Sequence, residues 1–150
     1  MMGSKTKKSK KISQENYNLS VNSAFFSPSG KSLMSVTMTN HIHITHNAHL
    51  QKSTFEPTER LLHNNKTGRW LTTFRAEWHP TKREDIFVIG CMKQPRRIEI
   101  FDSLSTELLG EISGDGLTAV ASRCCFHPSE KNLIVFGGNS SGRVTVSQSR

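Results

Sequence analysis

A triple internal repeat constrains this chain more than any other feature. Val21-Asn-Ser-Ala-Phe-Phe-Ser-Pro28, Thr73-Phe-Arg-Ala-Glu-Trp-His-Pro80 and Ala121-Ser-Arg-Cys-Cys-Phe-His-Pro128 each end in an aromatic residue, then Ser or His, then Pro. The prolines lie 52 and 48 residues apart. Behind each comes a polar turn: Ser29-Gly30-Lys31, Thr81-Lys82-Arg83-Glu84-Asp85 and Ser129-Glu130-Lys131-Asn132. A short apolar run follows (Leu33–Val36, Ile86–Ile89, Leu133–Phe136), then a break, then a second run (Ile42-His-Ile44, Ile98-Glu-Ile-Phe101, Val144-Thr-Val146). Self-similarity at such a period marks stacked copies of one supersecondary unit, each burying a face on its neighbour.

The second runs alternate with period two, which marks half-buried strands: Ile98 and Ile100 inward against Glu99, Val144 and Val146 inward against Thr145. Each proline falls just after the first strand, where a missing N–H does no harm. Gly90, Gly137, Gly138 and Gly142 are read as strand ends and turns, where positive φ is useful. Three or four short antiparallel strands per ~50 residues is a β-propeller blade. Strand a is expected at 20–26, 73–79 and 119–126, strand b at 33–37, 86–91 and 133–137, and strand c at 41–45, 97–102 and 143–147. The fourth strand is expected at 106–112 and at 58–62. The fold class is therefore all-β: a partial propeller of about three four-stranded blades (about 19–62, 67–114 and 117–150), the last lacking its outer strand. Propellers close with ~4–8 blades. The 150 residues thus read as part of a longer propeller, with apolar blade faces exposed at both ends.

Composition agrees with thin cores, since only 34% of residues are hydrophobic. No stretch approaches the ~20 apolar residues of a membrane span, and residues 1–12 lack the apolar run of a secretory signal. Lys and Arg number 20 against 12 acids, a net charge of +8. Lys5, Lys7, Lys8, Lys10 and Lys11 crowd the first twelve residues, which carry no acid. Residues 1–18 are accordingly expected to form a basic disordered arm, serving as a nuclear-import or nucleic-acid-binding segment. Cys91, Cys124 and Cys125 make an odd count without C-x-x-C, so free thiols are expected and no zinc finger. The sequons at Asn18, Asn65 and Asn139 are then chance matches.

Several catalytic or metal-like patterns are discounted. His41, His43, His46 and His49 suggest a metal cluster, but no acidic or thiol partner lies nearby in sequence, and outward polar strand residues explain them. His79 and His127 precede the repeat prolines and are read as structural. Gly138-Asn-Ser-Ser-Gly142 matches a nucleophile elbow formally, but no acid or histidine follows it. Gly30-Lys31-Ser32 lacks the upstream glycine of a phosphate loop. The expectation is no enzyme, no cofactor, no metal and no small-molecule substrate.

Phe26-Ser-Pro-Ser-Gly-Lys-Ser-Leu33 resembles the first half of a WD repeat, and Ile98-Glu-Ile-Phe-Asp102 its Trp-Asp end, with Phe101 in place of Trp. Thr67-Gly-Arg-Trp-Leu-Thr-Thr-Phe-Arg-Ala-Glu-Trp-His-Pro80, Pro95-Arg-Arg-Ile-Glu-Ile-Phe101 and Gly137-Gly-Asn-Ser-Ser-Gly142 are more specific. Together they resemble the C-terminal blades of the WD repeat-containing protein 76 family, related to the WD-repeat subunit of the UV-damaged-DNA-binding complex. The resemblance implies a nuclear, chromatin-associated protein that binds double-stranded DNA in the damage response and recognises 5-hydroxymethylcytosine. It also implies docking to the damage-binding adaptor of cullin ubiquitin ligases. Such docking commonly uses a Trp-Asp-x-Arg box, and Phe101-Asp102-Ser103-Leu104 lacks its arginine.

In the relative that binds UV-damaged DNA, the loop entering the corresponding strand is a hairpin that wedges into the duplex. Its counterpart here holds Gly68, Arg69 and Trp70, flanked by His63, Asn64 and Lys66. Arginine suits phosphate or guanine, and an exposed Trp can stack on an unpaired base. The blander alternative makes Trp70 a buried strand-start residue. Lys82-Arg83 and Arg96-Arg97 lie in neighbouring turns and Arg75 within strand a. Arg96 and Arg97 complete the expected nucleic-acid set, or else form a solvated rim. Their turn is expected to open on the face opposite the Arg69–Trp70 loop. The rival function is a protein–protein scaffold or ligase substrate receptor that reads no DNA.

Overall fold

A computed structural model describes residues 20–51, 56–81, 86–128 and 133–148. The expected basic arm and the turns at 82–85 and 129–132 lie outside the described residues. Among the described residues, eleven strands form three antiparallel sheets. The first comprises β1 (Val21–Phe26), β2 (Leu33–Thr37), β3 (His41–Thr45) and β4 (Glu59–Leu62). The second comprises β5 (Glu77–Trp78), β6 (Ile86–Cys91), β7 (Arg97–Asp102) and β8 (Leu108–Ser113), and the third β9 (Ala121–Phe126), β10 (Ile134–Asn139) and β11 (Val144–Gln148). Each strand pairs with its sequence neighbour, giving three consecutive meanders, as partial propeller blades require. No helix among the described residues is long and apolar enough to cross a membrane.

The repeat motif closes the same hairpin in every sheet. The residue before each proline donates its backbone N–H across the turn: Ser27 to the Ser32 carbonyl (2.8 Å), His79 to Ile86 (3.0 Å) and His127 to Ile134 (2.9 Å). Proline then sits where the ladder asks for no donor. His79 also accepts the Thr81 hydroxyl at Nδ1 (2.9 Å) and lies against Phe126 of the next sheet (4.9 Å between rings).

Two apolar layers join the sheets. Met34, Val36, Ile42 and Ile44 of the first sheet meet Phe87, Ile89 and Phe101 of the second, with Phe74, Ala76 and Trp78 between them. The Trp78 indole donates to the Phe25 carbonyl (3.1 Å), tying the sheets by a polar bond as well. On the opposite face Val88, Ile98 and Ile100 meet Ala121, Cys124, Phe126 and Val135 of the third sheet. The second sheet is thus covered on both sides.

Four expectations are corrected. Strand a of the second sheet pairs only at Glu77–Trp78. Ahead of it Phe74 and Ala76 turn into the core, and the Thr73 carbonyl is taken by the Arg123 guanidinium (3.1 Å) rather than by a strand. Glu99 is not outward-facing: its side of β7 meets the first sheet, and it is 4% exposed. Val144 and Val146 are not inward-facing: β10 pairing turns them away from the second sheet, leaving them 71% and 59% exposed. Of the four glycines read as turn residues, only Gly142 has a positive φ. Gly90 instead permits close approach of two sheets, since a Cβ there would lie 1.7 Å from the Ala121 carbonyl oxygen.

Candidate nucleic-acid interface

The segment from His63 to Ala76 links the first sheet to the second, and its base is tightly fixed. His63 donates its backbone N–H to the Asn40 carbonyl (2.9 Å). Asn65, fully buried, donates its amide to the Thr37 and His41 carbonyls (3.0 and 2.9 Å), and its Oδ1 accepts from His63 Nδ1 (2.7 Å). That burial also removes Asn65 as a glycosylation acceptor. Alternation then splits the segment: His63, Asn65 and Thr67 point in, whereas Asn64, Lys66 and Gly68 point out. Gly68 turns the chain at φ +69, a conformation open to glycine at little cost.

Beyond that turn stand Arg69 and Trp70, both exposed. Trp70 is 91% exposed, the most of any large apolar side chain among the described residues, so the buried strand-start alternative does not hold. Leaving an indole in water forgoes a burial gain of ~2–3 kcal/mol, which makes an isolated exposed Trp on an anchored turn a candidate contact. Lys66, Gly68, Arg69 and Trp70 are brought together on one exposed segment.

Arg96 and Arg97 lie in the β6–β7 connection. Arg97 is held between carboxylates, its Nε 3.1 Å from Glu99 and 3.4 Å from Glu111. Arg96 Nη1 donates to the Met92 carbonyl within its own turn (2.5 Å). Arg75 stacks over Phe25 (4.5 Å) and pairs with Glu77 (3.1 Å). The expectation that the β6–β7 turn opens opposite the Arg69–Trp70 loop is overturned. In an antiparallel meander, the turn between second and third strands and the exit of the fourth strand share one end. Accordingly the β2–β3 turn residue Asn40 bonds His63 and Asn65, and the β6–β7 turn residue Lys93 lines one cavity with His63 and Asn64. That cavity, about 450 Å³, lies between residues of the first and second sheets and is also lined by Leu62, Cys91, Glu99, Phe101 and Leu108.

The floor of this cavity escaped the sequence reading. Glu99 lies 3.6 Å from His63 Nε2, 3.1 Å from Arg97 and 3.9 Å from Lys93. Burial holds the His63 imidazole below its ordinary pKa and pushes the Cys91 thiol up. The available signal was a lone acid between two isoleucines, which resembles any solvent-facing strand position until a second sheet covers it. Among the histidines that did draw attention, His41 and His43 share a face with rings 5.8 Å apart. They point away from the apolar core, yet His43 is 7% exposed, and burial, with His41 and Arg60 nearby, lowers its pKa to about 4.

No protein-family model matches the chain. It is 38% identical over 136 residues, 90% of its length, to the WD repeat-containing protein 76 of Xenopus laevis, of which it covers 23%. To the protein of the same name from Mus musculus it is 35% identical over 136 residues, covering 21% of that protein. To the DNA damage-binding protein CMR1 of Chaetomium globosum it is 38% identical over 104 residues, 68% of its own length and 19% of the relative's. The chain spans about a fifth of the length of these relatives.

Proposed function

The chain is a homologue of WD repeat-containing protein 76 and of DNA damage-binding CMR1 proteins, and from that kinship and the exposed loop we propose that it binds double-stranded DNA as a non-enzymatic module of the nuclear DNA damage response. The observation that carries this reading is Trp70, exposed beside Arg69 and Lys66 on a segment whose base is locked by Asn65. Lys66 and Arg69 draw in the phosphate backbone by releasing counterions. Trp70 then stacks on a base that damage or modification has loosened, 5-hydroxymethylcytosine being the modified base the family resemblance implies. Lys93 and Arg96, both in the β6–β7 connection at the same end of the sheets, extend the cationic path. Arg97 contributes by holding Glu99 and Glu111 rather than by touching phosphate. The basic residues 1–18 add sequence-independent attraction and nuclear targeting.

The test is a salt series of duplex binding for the unsubstituted chain and for Arg69→Ala plus Trp70→Ala. The double variant is expected to keep its circular dichroism and unfolding midpoint, lose about tenfold to a hundredfold in affinity, and show a salt slope shallower by ~1. Retained affinity in a folded double variant overturns the reading and leaves a protein–protein scaffold or ligase substrate receptor as the function. For that rival the missing arginine stands as an obstacle: Asp102 caps its own turn by accepting from the Leu104 and Ser105 amides (2.8 and 2.7 Å), and the position of the box arginine is Leu104.

A further inference from the structure

His63, Cys91 and Glu99 form no motif in the sequence, yet folding brings them together from three separate elements. All three are buried, and one ligand atom from each lies within 4.8 Å of the other two. We propose that these residues form a zinc site between the first and second sheets, with its fourth coordination position open to the cavity above.

The tautomer of His63 is the first argument. Asn65 Nδ2 donates to two backbone carbonyls, which fixes the orientation of that amide and leaves Oδ1 as an acceptor. The bond from His63 Nδ1 to Oδ1 (2.7 Å) therefore places the proton on Nδ1. Nε2, the ring's other nitrogen, then faces the Glu99 carboxylate at 3.6 Å. Nε2 is buried, and no hydrogen bond of good geometry is made at it among the described residues. A lone pair turned toward further electron-rich atoms is satisfied by a cation between them. A ligating histidine commonly has its other nitrogen held in this way, here by Asn65. Phe74 keeps the ring in place from its edge (5.6 Å between centroids).

Geometry and charge agree. Tetrahedral zinc with N, O and S ligands places donors about 3.3–3.7 Å apart, so the His63–Glu99 pair already spans one edge. Contraction of less than ~1.5 Å brings Cys91 Sγ to the same centre. Glu99 divides its oxygens: Oε1 takes Arg97 and Lys93, and Oε2 faces His63. Arg97 is shared with Glu111, so once the Cys91 thiol passes its proton to solvent, three anions face two cations. The added Zn²⁺ leaves a net charge of only +1. A mixed nitrogen, sulfur and oxygen set selects zinc over magnesium or calcium, which take oxygen alone. With the fourth position toward the cavity lined by Asn64 and Lys93, a water or an anionic oxygen completes the shell.

The experiment treats the full 150-residue chain with chelator, then titrates it with Co²⁺ as a spectroscopic stand-in for Zn²⁺. One equivalent is expected to bind, giving a thiolate-to-metal charge-transfer absorption that Zn²⁺ bleaches. Cys91→Ser should abolish that absorption, and Cys125→Ser, at an exposed position, should leave it intact. Asn65→Ala should weaken binding about tenfold to a hundredfold while the band persists at saturation. If Cys91→Ser fails to fold, survival of the band in both Cys124→Ser and Cys125→Ser assigns it to Cys91, the remaining free thiol, and its loss in Cys124→Ser overturns the site. Absence of the band in the unsubstituted chain, its survival in Cys91→Ser or its loss in Cys125→Ser overturns the site.

Discussion

The second and third sheets carry the same alternating signature in their third strands, Ile98-Glu-Ile and Val144-Thr-Val, and treat it in opposite ways. In β7 the isoleucines face the third sheet, and the intervening Glu99 is buried as well, because the first sheet covers the other side. In β11 the two valines stand 71% and 59% exposed, and no described residue packs over them. Alternation reports which residues share a face. It does not report how many faces are covered, and in a stacked-blade architecture only the neighbours decide that.

The contrast breaks most visibly at the glycines. Gly90 and Gly138 both lie within second strands, but only the first meets another sheet. A Cβ at Gly90 would stand 1.7 Å from the Ala121 carbonyl oxygen, a backbone atom that cannot step aside, whereas at Gly138 the nearest atom is 3.8 Å away. Gly90→Ala should destabilise the chain by about 3 kcal/mol or more. Gly138→Ala should change stability by less than about 1 kcal/mol. Urea unfolding of the two variants checks this directly. Equal costs would mean that the second and third sheets are not in the close contact described.

A smaller effect follows from burial on the first sheet. The folded-state pKa of His43, about 4, lies below its unfolded value, near 6.5. The unfolded chain therefore binds the extra proton first, and stability falls as pH drops from about 6.5 to about 4. Above that window His43 is neutral in both states and costs nothing; below it the loss is complete. His41, Arg60 and Glu56 face the ring, the first two deepening the shift and Glu56 opposing it. The loss should amount to on the order of 2 kcal/mol, and His43→Gln should flatten that part of a stability–pH profile. An unchanged slope in the variant would show that this face admits water.

The triple aromatic-x-Pro repeat located the strands within a few residues, because each copy builds the same hairpin closure at Ser27, His79 and His127. That Lys66, Gly68, Arg69 and Trp70 lie on a connection between two repeats was also legible, but the exposure of Trp70 was not, since a buried strand-start position suits the same residues. The partnership of His63, Cys91 and Glu99 was not, since it forms only where two sheets stack and no local spacing encodes it. The shared end of the Arg96 turn and the Trp70 loop was available in principle. It needed only the strand count, since successive antiparallel strands alternate direction.

The smallest expected effect concerns the outer face itself. Val144→Thr with Val146→Thr removes methyl groups that already face solvent, so folding stability should move by no more than about 0.5 kcal/mol. Thr retains β-branching, so the strand keeps its conformational preference. Self-association should respond instead. Val144, Val146, Leu108 and Leu109 are large apolar side chains at least half exposed or nearly so, and at high concentration such surfaces pair with one another. Light scattering across a concentration series should show the double variant remaining monomeric where the unsubstituted chain associates. A stability loss comparable to that of a core substitution would mean that β11 is covered from both sides after all, and the distinction between the second and third sheets would fall with it.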